Sequence, residues 1–131
     1  MPQPSVPAPN QMSLRQELSE LLLVAAGAVP GAVMRWQVGV HLHDNNLVVN
    51  VLGAFILGGL VGLPLRPRRQ LLIGIGFCGS LTTFSSWMVH CVTFIAKGDW
   101  PAALGLIGLT LGLGLGAAAL GVMLGRAWFR R

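Results

Sequence analysis

The sequence predicts an all-α membrane protein of four transmembrane helices, on three observations. Apolar residues make up 53% of the 131-residue chain and 18 glycines are added to them, whereas charged residues are 10%, against roughly 25% in soluble domains. Three stretches, Leu47 to Leu63, Leu71 to Ala96 and Ala102 to Gly125, contain no Asp, Glu, Lys or Arg, and a fourth, from about Leu21 to Val40, contains only Arg35. A helix needs about 20 apolar residues to cross a hydrocarbon core. The third observation is the shortness of the connectors, His41 to Asn46, Pro64 to Gln70 and Lys97 to Trp100, which leave no room for a soluble domain. The formal charge is +5, but the basic residues sit at segment ends with no basic face or interleaved aromatics, which excludes a nucleic-acid partner.

Residues 1–12 carry four prolines and no apolar period, so they are expected to form a disordered polar tail ahead of a membrane domain over 13–131. Ser13 and Gln16 have capping-box spacing, which starts a helix near Leu14 that runs into the first span. Ala26-Gly27-Ala28 also resembles a signal-peptidase site. Glu17 and Glu20 precede it and the apolar core before it is too short, which favours a retained helix. Pro64 and Pro67 are expected to stop the second helix, and Pro101 to open the fourth at its first turn. Trp36, Trp100 and Trp128 fall where an interfacial belt places them, and Trp87 does not. Arg15, the Arg66/Arg68/Arg69 loop and Arg126, Arg130 and Arg131 lie on one side, against Lys97 on the other. The positive-inside rule therefore puts both termini in the cytoplasm. Gly27/Gly31, Gly58/Gly62, Gly108/Gly112/Gly116 and Gly121/Gly125 have the spacing that lets helix backbones approach closely, so a tightly packed, oligomeric bundle is expected, with any pathway at a dimer interface.

The chemistry concentrates in the third span, in Gly76-Phe77-Cys78-Gly79-Ser80-Leu81-Thr82-Thr83-Phe84-Ser85-Ser86-Trp87. A lone membrane Ser or Thr usually bonds back to its own helix. A run this dense, loosened by two glycines, points instead to a helix break whose freed carbonyls and hydroxyls bind something. Asn50 can donate to an anion or bridge two helices, and alone the bridge is favoured. Arg35 can snorkel to the headgroups or draw anions into a vestibule, and spacing does not separate the two. Glu17, Glu20, Asp44 and Asp99 all lie outside the spans, which disfavours proton-coupled cation export. His41, His43 and Asp44 are a thin ligand set for a metal. His90, Cys91 and Cys78 lack the base and orienter of a nucleophilic site, so the thiols read as core filler and no enzyme is expected.

Gly31-Ala32-Val33-Met34-Arg35-Trp36, Asn50-Val51-Leu52-Gly53-Ala54-Phe55 with Gly58, and Gly76-x-Cys78-Gly79-x-x-Thr82-Thr83-Phe84-Ser85-Ser86-Trp87 together resemble the Fluc/CrcB family of fluoride ion channels, in that family's order. The resemblance implies passive, fluoride-selective export across a bacterial inner membrane that protects the cell, through an antiparallel dimer with two pores. By position it implies a fluoride pathway along Asn50, Phe84, Trp87, Thr83, Ser86 and Thr110, with Arg35 as the first-span arginine. Phe84 and Trp87 would be the aromatic box, ring edges toward the ion; Trp87 stands where the family has Phe, and its indole N–H could also serve an anion. In the fourth span Thr110 is the one hydroxyl available where the family lines part of its path with several. The resemblance further implies a structural Na+ at the dimer centre, held by backbone carbonyls of Gly79 and Thr82 from both subunits. The charge bias makes the opposite-facing partner either a second copy or a homologous subunit. The alternatives are a small multidrug transporter, opposed by the missing intramembrane carboxylate, and a non-transporting assembly subunit, opposed by the midplane hydroxyls.

Overall fold

The computed structural model describes residues 13–43 and 46–131; the tail expected over 1–12 lies outside the described residues, as does Asp44. Described residues are helical apart from short connectors, and contain no strand. Helix α1 runs Leu14–Leu42 and starts as the sequence predicts, with the Ser13 hydroxyl accepting from the Gln16 amide. His43, after α1, and Asn46, ahead of α2 (Leu47–Gly62), both adopt left-handed backbone.

Next come α3 (Pro67–Arg69), a nine-residue π-helical stretch (Gln70–Cys78) and α4 (Gly79–Leu81), in continuous succession. Residues 82–84 leave the helix, with Thr82 extended at φ −78° and ψ 156°, before α5 resumes over Ser85–Ala96. At the end of α5, Gly98 takes φ +76° while the amides of Gly98 and Asp99 donate to the carbonyls of Ile95 and Phe94. That is the paired bonding by which a glycine closes a helix. Asp99 then caps α6 (Trp100–Phe129), accepting from the Ala102 amide, with Pro101 in the first turn as expected.

One boundary differs from the sequence reading. The second helix stops ahead of Pro64 as expected, with Leu63 extended, but Pro67 opens the following helix rather than closing the previous one. A proline at the first helical position loses only an amide that would be unpaired anyway, which the apolar pattern does not register. The helices Leu14–Leu42, Pro67–Ala96 and Trp100–Phe129 are long and apolar enough to cross a membrane, while the apolar α2 has 16 residues, about 24 Å of helix.

The packing is two parallel pairs built on glycine. Gly27 and Gly31 of α1 face the backbone at Leu72 and Phe77, and Gly76 returns the contact against Val24. Gly58 and Gly62 of α2 meet Ala118, Val122 and Arg126 of α6, while Gly121 and Gly125 meet Phe55 and Gly59. In each of these places a Cβ would overlap a backbone carbonyl oxygen of the neighbour. Close backbone approach supplies the dispersion contact that must replace a hydrophobic drive in lipid. The core beside the interruption is Trp87, Cys91 and Leu106, joined by Phe94 and Ile107, where α5 packs on α6. The pairing sets Arg15, Arg66, Arg68, Arg69, Arg126, Arg130 and Arg131 at one end of the bundle.

Gly121→Val is expected to lower stability by at least about 1–3 kcal/mol, the cost of overpacking a filled contact. Gly39→Ala, where an added Cβ has nothing within 4 Å, is expected to raise the midpoint slightly, by up to about 1 kcal/mol from helix propensity. Thermal unfolding of the purified variants in detergent compares the two.

Candidate functional site

The centre of the site is a side chain substituting for a helical hydrogen-bond ladder. Thr83 N–H would close a turn on the Gly79 carbonyl if the helix continued. Instead it donates to Asn50 Oδ1 at 2.8 Å, and Asn50 Nδ2 donates back to the Thr83 carbonyl at 3.0 Å. The two bonds fix which end of the amide is oxygen, since the reverse orientation would set donor against donor. Thr83 is 9% exposed, so each of its backbone groups would cost about 1–3 kcal/mol if left unpaired there.

The neighbouring hydroxyls complete the interruption. Thr82 turns both its amide and its Oγ1 back onto the Cys78 carbonyl, at 3.0 and 2.9 Å, which ends the first half. Thr83 Oγ1 accepts from the Ser86 amide at 3.4 Å and so covers one of the free N–H groups that begin α5. Ser80 Oγ donates to the Phe77 carbonyl at 3.1 Å. Gly53 of α2 lies against the Thr82 methyl, where its missing Cβ makes room. From α1, Arg35 Nη1 donates to the Thr82 carbonyl at 3.3 Å. Arg35 is therefore held at the interruption.

The second anchor is Trp87. It is 8% exposed, and its Nε1–H donates to Thr110 Oγ1 at 3.0 Å, joining α5 to α6. Thr110 therefore occupies the indole donor that was considered for an anion. Phe84 stacks at a tilt on Trp87, ring centroids 5.5 Å apart and planes at 52°, yet is 69% exposed on the surface of the single chain.

These residues share a groove of about 580 Å³ between α2, the interrupted span and α6. Asn50, Thr83, Phe84, Trp87 and Thr110 line it, as do Gly79 and Thr82; Ser86 and Arg35 stand beside it rather than on its wall. Gly114, Leu111 and Ala118 of α6 also contribute, which the sequence reading did not single out. No lining residue is charged. Two pairings also escaped that reading, Asn50 with Thr83 and Trp87 with Thr110. A signal for the second existed: Thr110 is an isolated hydroxyl in an apolar run and the indole N–H of Trp87 lies within a span, and such groups in lipid need partners. His41 Nδ1 lies 2.8 Å from the Gln37 carbonyl, and no group of three or more metal-ligating side chains occurs among the described residues.

A double-mutant cycle between Trp87→Phe and Thr110→Val is expected to give a coupling of about 1 kcal/mol in unfolding free energy, the worth of one part-buried hydrogen bond. Additive losses in the same unfolding measurement would show that the two side chains act independently.

The family model described as "CrcB-like protein, Camphor Resistance (CrcB)" matches residues 22–122. A protein of Parasynechococcus marenigrum (strain WH8102) named fluoride-specific ion channel FluC 2 is 74% identical over 113 residues, covering 86% of each chain. Its namesake in Prochlorococcus marinus (strain MIT 9313) is 62% identical over 125 residues, 95% of this chain and 92% of the relative. A more distant relative, fluoride-specific ion channel FluC of Gloeobacter violaceus, is 38% identical over 122 residues, 82% of this chain and 97% of its own length. The match across the spans and these identities establish that the chain belongs to the CrcB-like family.

Proposed function

We propose that the protein is a fluoride-selective channel, not an enzyme, that lets fluoride leave the cell down its electrochemical gradient and so protects against fluoride toxicity. The names of its relatives support this reading. The observation that carries it within the chain is the uncharged groove at the Asn50–Thr83 clasp. A transporter of cationic drugs or protons needs a carboxylate inside the membrane, and this groove has none. It has instead groups that suit a small anion: the second N–H of the Asn50 amide, the hydroxyls of Thr83 and Thr110 and the rings of Phe84 and Trp87, with the start of α5 at Ser86 beside it. Ring edges carry the positive end of the aromatic quadrupole, and a helix N-terminus favours negative charge. Arg35 adds a fixed positive charge at the same level without entering the groove. Transport needs no ATP: an inside-negative potential drives an anion outward by about 2.3 kcal/mol per 100 mV.

The working unit in this reading is a dimer in the bacterial inner membrane, with the partner, a second copy or a homologous subunit, in the opposite orientation. The groove lies open on one chain and Phe84 is exposed there, so a second subunit is what would close the path. At the dimer centre a structural Na+ would be held by the carbonyls of Gly79 and Thr82 from both subunits. The donor set fits a hard cation, being uncharged oxygen. The clasp takes away the amide that the Gly79 carbonyl would otherwise accept from, and the Thr82 carbonyl retains a lone pair beyond the one used by Arg35. Such an ion would tie the two interrupted spans together and offset the repulsion between their carbonyl dipoles.

Fluoride efflux from liposomes containing the whole chain, read with a fluoride electrode, is the test. Fast fluoride release without chloride release is expected, and Phe84→Ile, which removes a ring edge from an exposed position, is expected to abolish it while leaving the protein folded. Equal fluoride and chloride release would contradict the reading. So would absence of fluoride release both alone and after co-reconstitution with a homologous subunit.

A further inference from the structure

The arginines at one end of the bundle have no part in the groove. Gly62, the last residue of α2, abuts the backbone of Arg126, so the 63–66 connector with α3 and the end of α6 form one surface. Arg66, Arg68 and Arg126 on it are exposed. Arg69 is tethered through Nη2 to the Pro64 carbonyl, with its Nε buried and without an acceptor. Among the described residues no carboxylate pairs with any of the four. Two large apolar side chains flank them, Leu65 at 80% and Trp128 at 79% exposure. The far end of the bundle offers Lys97 beside Asp99 instead.

Glu17 and Glu20 of α1 lie at the same end without pairing with these arginines, and guanidinium groups left unpaired attract an anion with several oxygens, because the planar fork matches a phosphate in a two-point contact. Their place at the ends of membrane-spanning helices puts them at headgroup depth, and exposed Leu65 and Trp128 suit the acyl boundary and the interface beside it. A free phosphate would use the charges but leave those two side chains without a role. We propose that Arg66, Arg68, Arg69 and Arg126 form a binding surface for the phosphodiester headgroup of an anionic phospholipid, whose chains lie against Leu65 and Trp128. This end thereby becomes a lipid-specific anchor, in addition to a determinant of orientation.

The whole chain is reconstituted in vesicles of equal parts phosphatidylcholine and phosphatidylglycerol, extracted in mild detergent, and the lipid that remains with it is quantified. Enrichment of phosphatidylglycerol over the bulk ratio is expected, and it should decline as salt rises, as exposed charge contacts are screened. In Arg66→Gln, Arg68→Gln and Arg126→Gln combinations, binding should weaken about five-fold per arginine removed, while Lys97→Gln retains the wild-type ratio. Elution volume and fluoride release of the variants report folding, and the salt series on the unaltered chain needs no variant. A bulk lipid ratio with the unaltered chain, or unchanged enrichment in the triple variant, overturns the proposal. Displacement of the lipid by millimolar inorganic phosphate also overturns it, in favour of a free-phosphate site.

Discussion

The bonding of Asn50 to both backbone groups of Thr83 is the contact on which the rest of the structure depends. A helix interrupted inside a membrane exposes N–H and C=O groups that hydrocarbon cannot satisfy, and such backbone persists only where protein supplies the partners. The amide of Asn50 supplies both at once, from a different helix, so it fixes the interruption and the position of α2 together. Other groups are met by Thr82 folding back on Cys78, by Thr83 Oγ1 meeting the Ser86 amide and, from α1, by Arg35 reaching the Thr82 carbonyl. The polarity of this span thus has two uses. It meets groups of the interrupted backbone, and it lines an uncharged groove with an amide, hydroxyls and two aromatic rings.

Glycine makes this arrangement reachable. Asn50 can meet Thr83 because Gly53, one turn on, leaves room for the Thr82 methyl. The longer glycine contacts between α2 and α6, and between α1 and the π-helical stretch, hold the two pairs at backbone distance. Gly108, Gly112 and Gly116 of α6 differ from Gly121 and Gly125 in having nothing within 4 Å of an added Cβ. The same spacing therefore serves two situations along one helix: the C-terminal part is used inside the chain, and the part beside the groove is open. This is consistent with a pathway completed by a second subunit.

Much of the fold was legible because it is set by short-range chemistry. Ser13 before Gln16 and Pro101 after Asp99 announce helix starts in any context, and charge-free runs announce spans. The polar run from Ser80 to Ser86 singles out a candidate site because its cost in lipid is large whatever the tertiary fold. The partners of those groups were not legible. Asn50 and Thr83 are 33 residues apart, and no periodicity encodes which backbone a side-chain amide will meet. Spacing likewise leaves Arg35 undecided between headgroups and a vestibule, and gives no sign of the Thr82 carbonyl that it meets. The π-helical stretch was invisible for another reason: its sequence, Gln70–Cys78, is as apolar as an α-helical span, and the wider turn changes hydrogen bonding without changing composition. Pro67 was assigned to the wrong helix because a proline fits after one helix as well as at the start of the next.

The central claim is that the Asn50 amide holds the interrupted span in the shape that passes fluoride. Fluoride release from liposomes containing Asn50→Ala, with helix content and elution volume measured on the same preparation, tests it most directly. The account predicts a chain that still inserts and remains helical but has lost most of its fluoride release, because both Thr83 backbone groups lose their partner. Undiminished release from a folded Asn50→Ala protein would contradict it, since the pathway would then stand without the clasp.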